Sequence, residues 1–179
     1  MQVFRRILTG RALPWFLFVA AAATAVVFAV SLEREQSLRE TEAALQRDLQ
    51  STARRFVGAL TTFSSDTIEQ DVEEIRSFAT GRFEDEVDEL FSDQTVEAIK
   101  SAGAASTSEV EAVFVQQLGD GEADVFAVAS VRIENEQSET PRDDIVRMEI
   151  RFVRDGGAWK VSSVELFQSP GAPPVAPVG

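Results

Sequence analysis

The first long apolar run in the chain predicts a membrane-spanning helix. Residues 12–32 read ALPWFLFVAAAATAVVFAVSL and contain no charged side chain. About 20 apolar residues in a helix match the hydrocarbon thickness of a bilayer. The alternative is a cleaved signal peptide, but its apolar region is usually shorter, about 7–15 residues, and Ala29-Val30-Ser31 is a poor cleavage site. The side chains that we expect to anchor the span are Trp15, Phe16, Leu17, Phe18, Val26, Val27 and Phe28.

The arginines beside this span leave its orientation open when they are only counted. Three precede it in a basic leader, 1–11, and three follow it: Arg5, Arg6, Arg11, Arg34, Arg39 and Arg47. The positive-inside rule counts Lys and Arg and largely ignores acidic residues. The leading arginines are closer together and have no acidic neighbours. We therefore expect a cytoplasmic leader and place the rest of the chain on the envelope (periplasmic) side.

After the span, apolar residues recur at spacings of three, four or seven, which predicts an amphipathic linker helix over 33–65. Residues 33–62 contain no Pro, and Gly58 is their one Gly. Two interpretations of the apolar stripe stay open: it packs on its own domain, or it docks a helix of another protein. The residues expected to dock a partner are Leu38, Leu45, Leu49, Phe56 and Leu60.

From residue 66 to 168 the pattern predicts an α+β domain. Asp66 and Glu69 resemble a capping box that opens a second helix, and a third helix is expected from Phe83 to Lys100. Period-two alternation then predicts four strands, over 110–118, 123–133, 145–154 and 158–167, with glycine-containing hairpin turns after the first and third. Helices followed by strands indicate helices on a four-stranded antiparallel sheet. The uncharged, Pro-rich end, 169–179, is expected to be a disordered tail.

Composition excludes several kinds of chemistry. The 179 residues include 30 Asp+Glu against 17 Lys+Arg and no His, Cys or Tyr. Zinc, haem and iron–sulfur sites, and nucleophile–His pairs, need residues that are absent. A net charge of −13 argues against nucleic-acid binding, which needs clustered Lys and Arg. Dense carboxylate runs around 69–74 and 84–89 are typical of solvated helix surfaces. We expect no catalytic residue, cofactor or metal, and keep an enzyme with a buried carboxylate as a minor alternative.

The order of segments resembles one known family. The basic leader, the span, the amphipathic helix and LTTFSSDTIEQDVEEIRSFATGRFEDEV are similar to the actinobacterial Mce-associated membrane proteins. In that family an Asp-bearing helix leads into a Thr-Gly-x-Phe step, matched here by Thr80, Gly81 and Phe83. The segment RMEIRFVRDGGAWKVSSVEL, with Trp159, resembles the family's last hairpin. The likeness covers about 13–167, and it departs at Phe63-Ser64, where relatives often carry Tyr-Asp.

This resemblance implies a fold and a role. The fold would be a cone-shaped α+β roll, like nuclear transport factor, cystatin and the periplasmic part of the type IV secretion bridge protein. The role would be that of a non-catalytic accessory subunit that stabilises or regulates an Mce lipid-transport complex. The expected partners are Mce transporter subunits and the lipid bilayer, with no nucleic acid. An alternative is a module that binds a hydrophobic ligand between helices and sheet, where the small residues Ala127 and Ala129 would leave room.

Overall fold

The computed structural model describes residues 40–136 and 140–167. Of these, residues 40–45 belong to one compact unit and those from Gln46 onward to a second. The predicted leader, the membrane span with all of its anchor residues, Leu38 and the Pro-rich tail lie outside the described residues. Within 40–136 and 140–167 no helix is long and apolar enough to cross a membrane.

Four helices precede the long strands. Helix α1 covers 40–61, α2 is Ile68–Phe78, α3 is Arg82–Leu90 and α4 is Asp93–Ser101. The predicted third helix is therefore two helices. Phe91 leaves the helical region with φ −106° and ψ 45°, and Ser92 is extended at the N-terminus of α4 with φ −58° and ψ 159°. The expectation of one helix to Lys100 was wrong because apolar periodicity continues across this bend.

The predicted capping box does not form. Thr67, not Asp66, is the N-terminal cap of α2, and no side chain there accepts a capping hydrogen bond. Asp71, one turn further on, organises the junction instead. Its carboxylate accepts hydrogen bonds from the Ser64 backbone N–H, at 3.1 Å, and from the Thr67 hydroxyl, at 2.9 Å. The start of α2 is thus tied to the preceding strand by a carboxylate inside the helix.

The sheet has five antiparallel strands in the order β1-β2-β3-β4-β5. They are β1 Phe63–Ser64, β2 Ala105–Leu118, β3 Glu122–Glu134, β4 Arg142–Asp155 and β5 Ala158–Phe167. The α+β class, with helices packed on an antiparallel sheet, is confirmed. The expected number of four strands was wrong, because β1 has only two residues and is too short to show a period of two. Strand β2 also begins at Ala105, five residues before the predicted start of the first strand at 110.

The core lies between α1–α3 and one face of the sheet, here called the inner face. Burial alternates along β3 as predicted, with five successive inward side chains buried: Ala123, Val125, Ala127, Ala129 and Val131. Phe56 of α1 lies at the centre of the core. Its ring makes edge-to-face contacts with Phe78, Phe83 and Phe152 at centroid distances of 5.8, 5.7 and 6.3 Å. Ala127 and Ala129 are fully buried members of this cluster.

The turn between β4 and β5 confirms the hairpin predicted from Asp155-Gly156-Gly157. Asp155 pairs with Ala158, so that two glycines form the loop. Their φ values are +57° and +88°, as a tight two-residue turn of the type favoured in hairpins requires. This turn sets the register that places Trp159 opposite Arg154.

Candidate interaction surface

The face of the sheet that points away from the core carries a group of aromatic and acidic side chains. Because successive side chains on a strand point to opposite faces, the residues between the buried ones share this outer face. We call its centre the outer patch, and define it as Phe114, Phe126, Val128, Glu149, Glu165 and Phe167. These residues come from four different strands, so the patch depends on the whole sheet being formed.

Three phenylalanine side chains and Val128 make up the apolar part of the outer patch. Phe114 of β2 lies directly opposite Phe126 of β3. The ring of Phe126 reaches across β4 to that of Phe167 in β5, with centroids 6.2 Å apart and planes tilted by 40°. Phe114 is 59% exposed and Phe167 39% exposed. Single exposed apolar residues are ordinary, but a connected group on a soluble surface is typical of a protein contact.

Two carboxylates lie beside these rings. Glu149 of β4 pairs with Phe126 on one side and with Glu165 of β5 on the other. Like charges directly opposite each other on neighbouring strands destabilise the pairing. The Arg147 and Arg151 side chains share this face with Glu149, two positions away on either side. The sheet thus keeps two opposed carboxylates, with an arginine on either side of Glu149, at the edge of its exposed aromatic group.

Arg151 is held by another carboxylate. Its Nε donates a hydrogen bond to Asp124 at 2.9 Å. This hydrogen bond is the main cause that raises the pKa of Arg151, with smaller contributions from the charges of Asp124, Glu122 and Glu149. The Arg151 guanidinium is therefore directed toward Asp124, and acts on Glu149 only through its charge.

One open groove borders the outer patch, and a second is lined in part by its two carboxylates, Glu149 and Glu165, together with Arg151. One, of about 680 Å³, is lined by residues that include Glu109, Arg132, Asp143 and Ile145. The other, of about 330 Å³, lies between α3 and the outer face and is lined by residues that include Arg82, Glu86 and Glu165. Charged and polar side chains dominate both. Across the described ranges, no group of three or more Asp or Glu residues is close enough to hold a metal ion.

The carboxylate runs of the helices face water, as their density suggested. In the 84–89 run, most of the side chains are exposed. Glu86 forms an ion pair with Arg82 at 2.6 Å, and Asp88 accepts a hydrogen bond from Arg76 at 2.8 Å. The Arg76–Asp88 contact joins α2 to α3, and the Arg82–Glu86 pair lies within the first turns of α3. Both contacts stabilise the helices.

The residues predicted to dock a partner are placed in two environments. Leu49 and Phe56 are fully buried in the core, and Leu60 packs against it while partly buried. Leu45 is half-buried and belongs to the first compact unit. The side chains of Leu49 and Phe56 contact their own domain, which is the first of the two interpretations that the sequence left open.

The four residues of the predicted structural motif lie where the helices meet β5. The Thr80 backbone N–H donates to the Val161 carbonyl at 2.9 Å, and Gly81 precedes α3 with φ +57°. Phe83 is buried against Phe56. Trp159 is 4% exposed in the core, with the Arg154 guanidinium 5.2 Å from its ring centre. Its Nε1 has no hydrogen-bond partner within the described residues.

The residues of the outer patch were largely missed at the sequence level. None of its six residues is among the docking or motif residues predicted from the sequence. A usable signal was present: Phe114 and Phe126 occupy strand positions where the alternation calls for polar residues. Which of those positions become neighbours depends on the register of four strands, and β2 and β5 both contain irregular steps, at 110–112, 115–117 and 161–163.

Comparisons with known proteins identify the fold. No protein-family model matches the chain, and no curated protein matches it by sequence. Solved structures do match. An IcmL-like type IV secretion system protein from Legionella pneumophila has a TM-score of 0.57 and 15% identity, covering 68% of this chain and 92% of that one.

Two further structures give the same result. VirB8 from Agrobacterium tumefaciens matches with a TM-score of 0.55 and 9% identity, over 69% of this chain and 92% of that one. The periplasmic domain of DotI matches with a TM-score of 0.54 and 11% identity, over 68% and 94% of the two chains. At these identities the likeness establishes a shared fold.

These matches overturn the family assignment made from sequence motifs. The resemblance to Mce-associated proteins was wrong, since the proteins that share this fold are type IV secretion components. Three predictions that depended on this resemblance are therefore also wrong: the assignment to actinobacteria, the role in lipid transport, and the Mce transporter subunits as partners. The alternative of a hydrophobic ligand inside the roll gains no support either. The Thr-Gly-x-Phe step and the Gly-Gly-x-Trp hairpin are explained by local packing, which many sequences can satisfy.

Proposed function

We propose that this chain is a non-catalytic assembly subunit of a VirB8-like secretion machine in the cell envelope. The observation that carries the proposal is the extent of the fold match. The match covers 92% of the solved chain of the IcmL-like protein and 92% of that of VirB8, so the likeness extends over nearly the whole of each solved structure. A fold hosts many functions, and the surface of this one decides among them.

That surface suits contact with proteins. The outer patch offers exposed rings beside charged groups, as protein interfaces do. The chain has no His or Cys, and the carboxylates of α3 lie mostly in water. A general acid or base needs an environment that moves its pKa toward the working pH. These features support a subunit that acts by binding its neighbours.

The proposal includes a location. Residues 12–32 hold the chain in the cytoplasmic membrane, the leader stays inside, and the domain works on the periplasmic side. The match to a domain of DotI that is described as periplasmic supports this arrangement. The finer fold that we assign is the cone-shaped roll of the nuclear-transport-factor class, with the short strand β1 completing the sheet.

Purification of the full chain tests this function. The tagged protein is cross-linked in cells of its own host, extracted from membranes in detergent, and its partners are identified by mass spectrometry. We expect other subunits of a secretion or conjugation apparatus, and loss of protein or DNA transfer when the gene is deleted. Recovery of the chain with only a nutrient transporter, or normal transfer in the deletion strain, would contradict the proposal.

A further inference from the structure

We infer that the outer patch binds a protein segment that places an Arg or Lys side chain between Glu149 and Glu165 and covers the phenylalanine rings with apolar side chains. This inference rests on the proposed function, since it names a contact through which such a subunit docks. It assigns a surface and a chemistry that the shared fold alone does not provide.

The rings of the outer patch are exposed. Phe114 and Phe167 keep 59% and 39% of their surface exposed, although both belong to strands that also carry buried side chains. Phe126 lies between them, opposite Phe114 and in ring contact with Phe167. A partner that covers this group removes connected apolar surface from water, which is favourable.

The outer patch also carries two opposed carboxylates. Glu149 and Glu165 lie directly opposite each other on neighbouring strands, and side chains in such a position are about 5 Å apart at Cβ. Like charges in this position repel each other, and the charges of Arg147 and Arg151 on the same face offset part of that repulsion. A single guanidinium or ammonium group can bridge two carboxylates at this spacing and relieve that repulsion. A further cation placed between the two carboxylates is therefore favourable.

The phenylalanine rings and the two carboxylates adjoin each other at Phe126 and Glu149. Phe126 pairs with Glu149 in the sheet, so the aromatic ring and the carboxylate are neighbours on the outer face. A guanidinium can donate hydrogen bonds to a carboxylate while its flat surface lies on an aromatic ring. An Arg with apolar neighbours fits this combination better than a purely apolar or a purely basic segment.

Charge also distinguishes the partner from other occupants. The chain has 30 acidic and 17 basic residues, so a second copy would bring a predominantly acidic surface toward the acidic pair. Anionic lipid headgroups and nucleic acids would be repelled by the same carboxylates. A basic and apolar segment of a different protein is the occupant with matching charge.

Photo-cross-linking in the full chain tests the inference in host membranes. Phe114 is replaced by p-benzoylphenylalanine, which keeps an aromatic ring at an exposed position. The same residue placed at Glu73, on the water-facing side of α2, serves as the matched control. We expect a partner adduct from position 114, and a cross-linked peptide in which Arg or Lys stands next to apolar residues.

Charge reversal separates binding from folding. Glu165→Lys replaces the repelling pair by an attractive one, so it should maintain or raise the thermal stability of the domain. It should nevertheless reduce the adduct from position 114 by about tenfold, because the incoming cation now meets a Lys. Glu165→Gln should reduce it by a smaller factor. Glu74→Lys on α2 makes the same charge change elsewhere and should leave the adduct unchanged.

The outcomes separate the two proposals. An adduct that is insensitive to Glu165→Lys, a cross-link to a second copy or to lipid, or an acidic cross-linked peptide overturns the assignment of the outer patch. If secretion subunits still co-purify in that case, the proposed function stands without it. A charge-dependent adduct with a basic protein unrelated to secretion supports the patch and overturns the proposed function.

Discussion

At the scale of single residues, two glycines show that backbone conformation decides the effect of a substitution. Around Gly58, inside α1, and Gly81, before α3, an added Cβ would meet no atom within 4 Å. Both sites therefore have room for the Cβ of an alanine. Gly81 has φ +57° and ψ −132°, a combination that only glycine adopts readily, whereas Gly58 lies in a regular helix.

Replacement of each glycine by alanine should therefore shift stability in opposite directions. Gly81→Ala should destabilise the domain by about 1–3 kcal/mol because of the strained backbone. Gly58→Ala should stabilise it by up to about 1 kcal/mol, since alanine is the better helix former. Urea unfolding of the full chain in detergent, followed by tryptophan fluorescence, measures both. Equal shifts of the same sign would show that φ at Gly81 does not limit the choice of residue.

Phenylalanines provide a second contrast between core and surface. Phe56 is fully buried and contacts three other rings. Phe56→Ala should cost about 3–5 kcal/mol, the range found for large cavities. Phe114→Ala, at a 59% exposed position, should cost less than about 1 kcal/mol, mainly through β propensity. The same unfolding measurement compares them. A large loss at Phe114 would indicate that the outer patch serves folding.

At the scale of elements, an exposed ion pair joins the first turn of α2 to the last turn of α4. Lys100 donates a hydrogen bond to Glu69. That hydrogen bond is the main cause that lowers the pKa of Glu69 from 4.5 and raises the pKa of Lys100 from 10.5. Both side chains are largely in water, so the contribution to stability is small.

The sign of its pH dependence follows from the pKa shifts. For Glu69, the stabilisation is present above pH 4.5 and is lost as the pH falls through the lower pKa of the folded state. For Lys100, it is present below pH 10.5 and is lost as the pH rises through its higher folded pKa. Glu69→Gln should therefore leave the urea midpoint slightly lower at pH 7 and unchanged at pH 2. Glu89→Gln is the control, and an equal pH profile for both variants would exclude a role of the pair.

Much of the secondary structure could be predicted because it depends on local periodicity. The alternation from Ala123 to Val131 identified the inner face of β3, and the Gly156-Gly157 turn identified the last hairpin. Two features could not be predicted from this periodicity. The bend at Phe91 interrupts no apolar pattern, and β1 exists only because Phe63 pairs with Ser106, a contact between residues far apart in the chain.

The candidate site was harder to predict than the elements that build it. Phe126 and Phe167 are 41 positions apart and touch across an intervening strand. The opposition of Glu149 and Glu165 depends on the irregular step in β5 between Val161 and Ser163. Short motifs such as Thr-Gly-x-Phe led to the wrong family assignment. They encode the start of a helix beside β5, and unrelated proteins can use the same residues for the same local structure.

At the scale of the whole molecule, the absence of cysteine from the sequence makes the proposed topology directly testable. A single introduced cysteine has no competing thiol in the chain. Gln2 lies in the predicted cytoplasmic leader, and Gln70 is an exposed residue of α2 in the domain that we place on the periplasmic side. Cysteine is smaller than glutamine, so neither Gln2→Cys nor Gln70→Cys adds bulk.

A membrane-impermeant maleimide should label Gln70→Cys in intact cells whose outer layers admit the reagent, and should label Gln2→Cys only after the cytoplasmic membrane is permeabilised. The span over 12–32 separates the two positions, since about 20 apolar residues cross the bilayer once. Both variants should stay with the membrane after alkaline extraction. Labelling of Gln2→Cys alone in intact cells would reverse the orientation, and release of the chain by alkali would show that residues 12–32 do not anchor it. Either result would remove the periplasmic contacts on which a VirB8-like role depends.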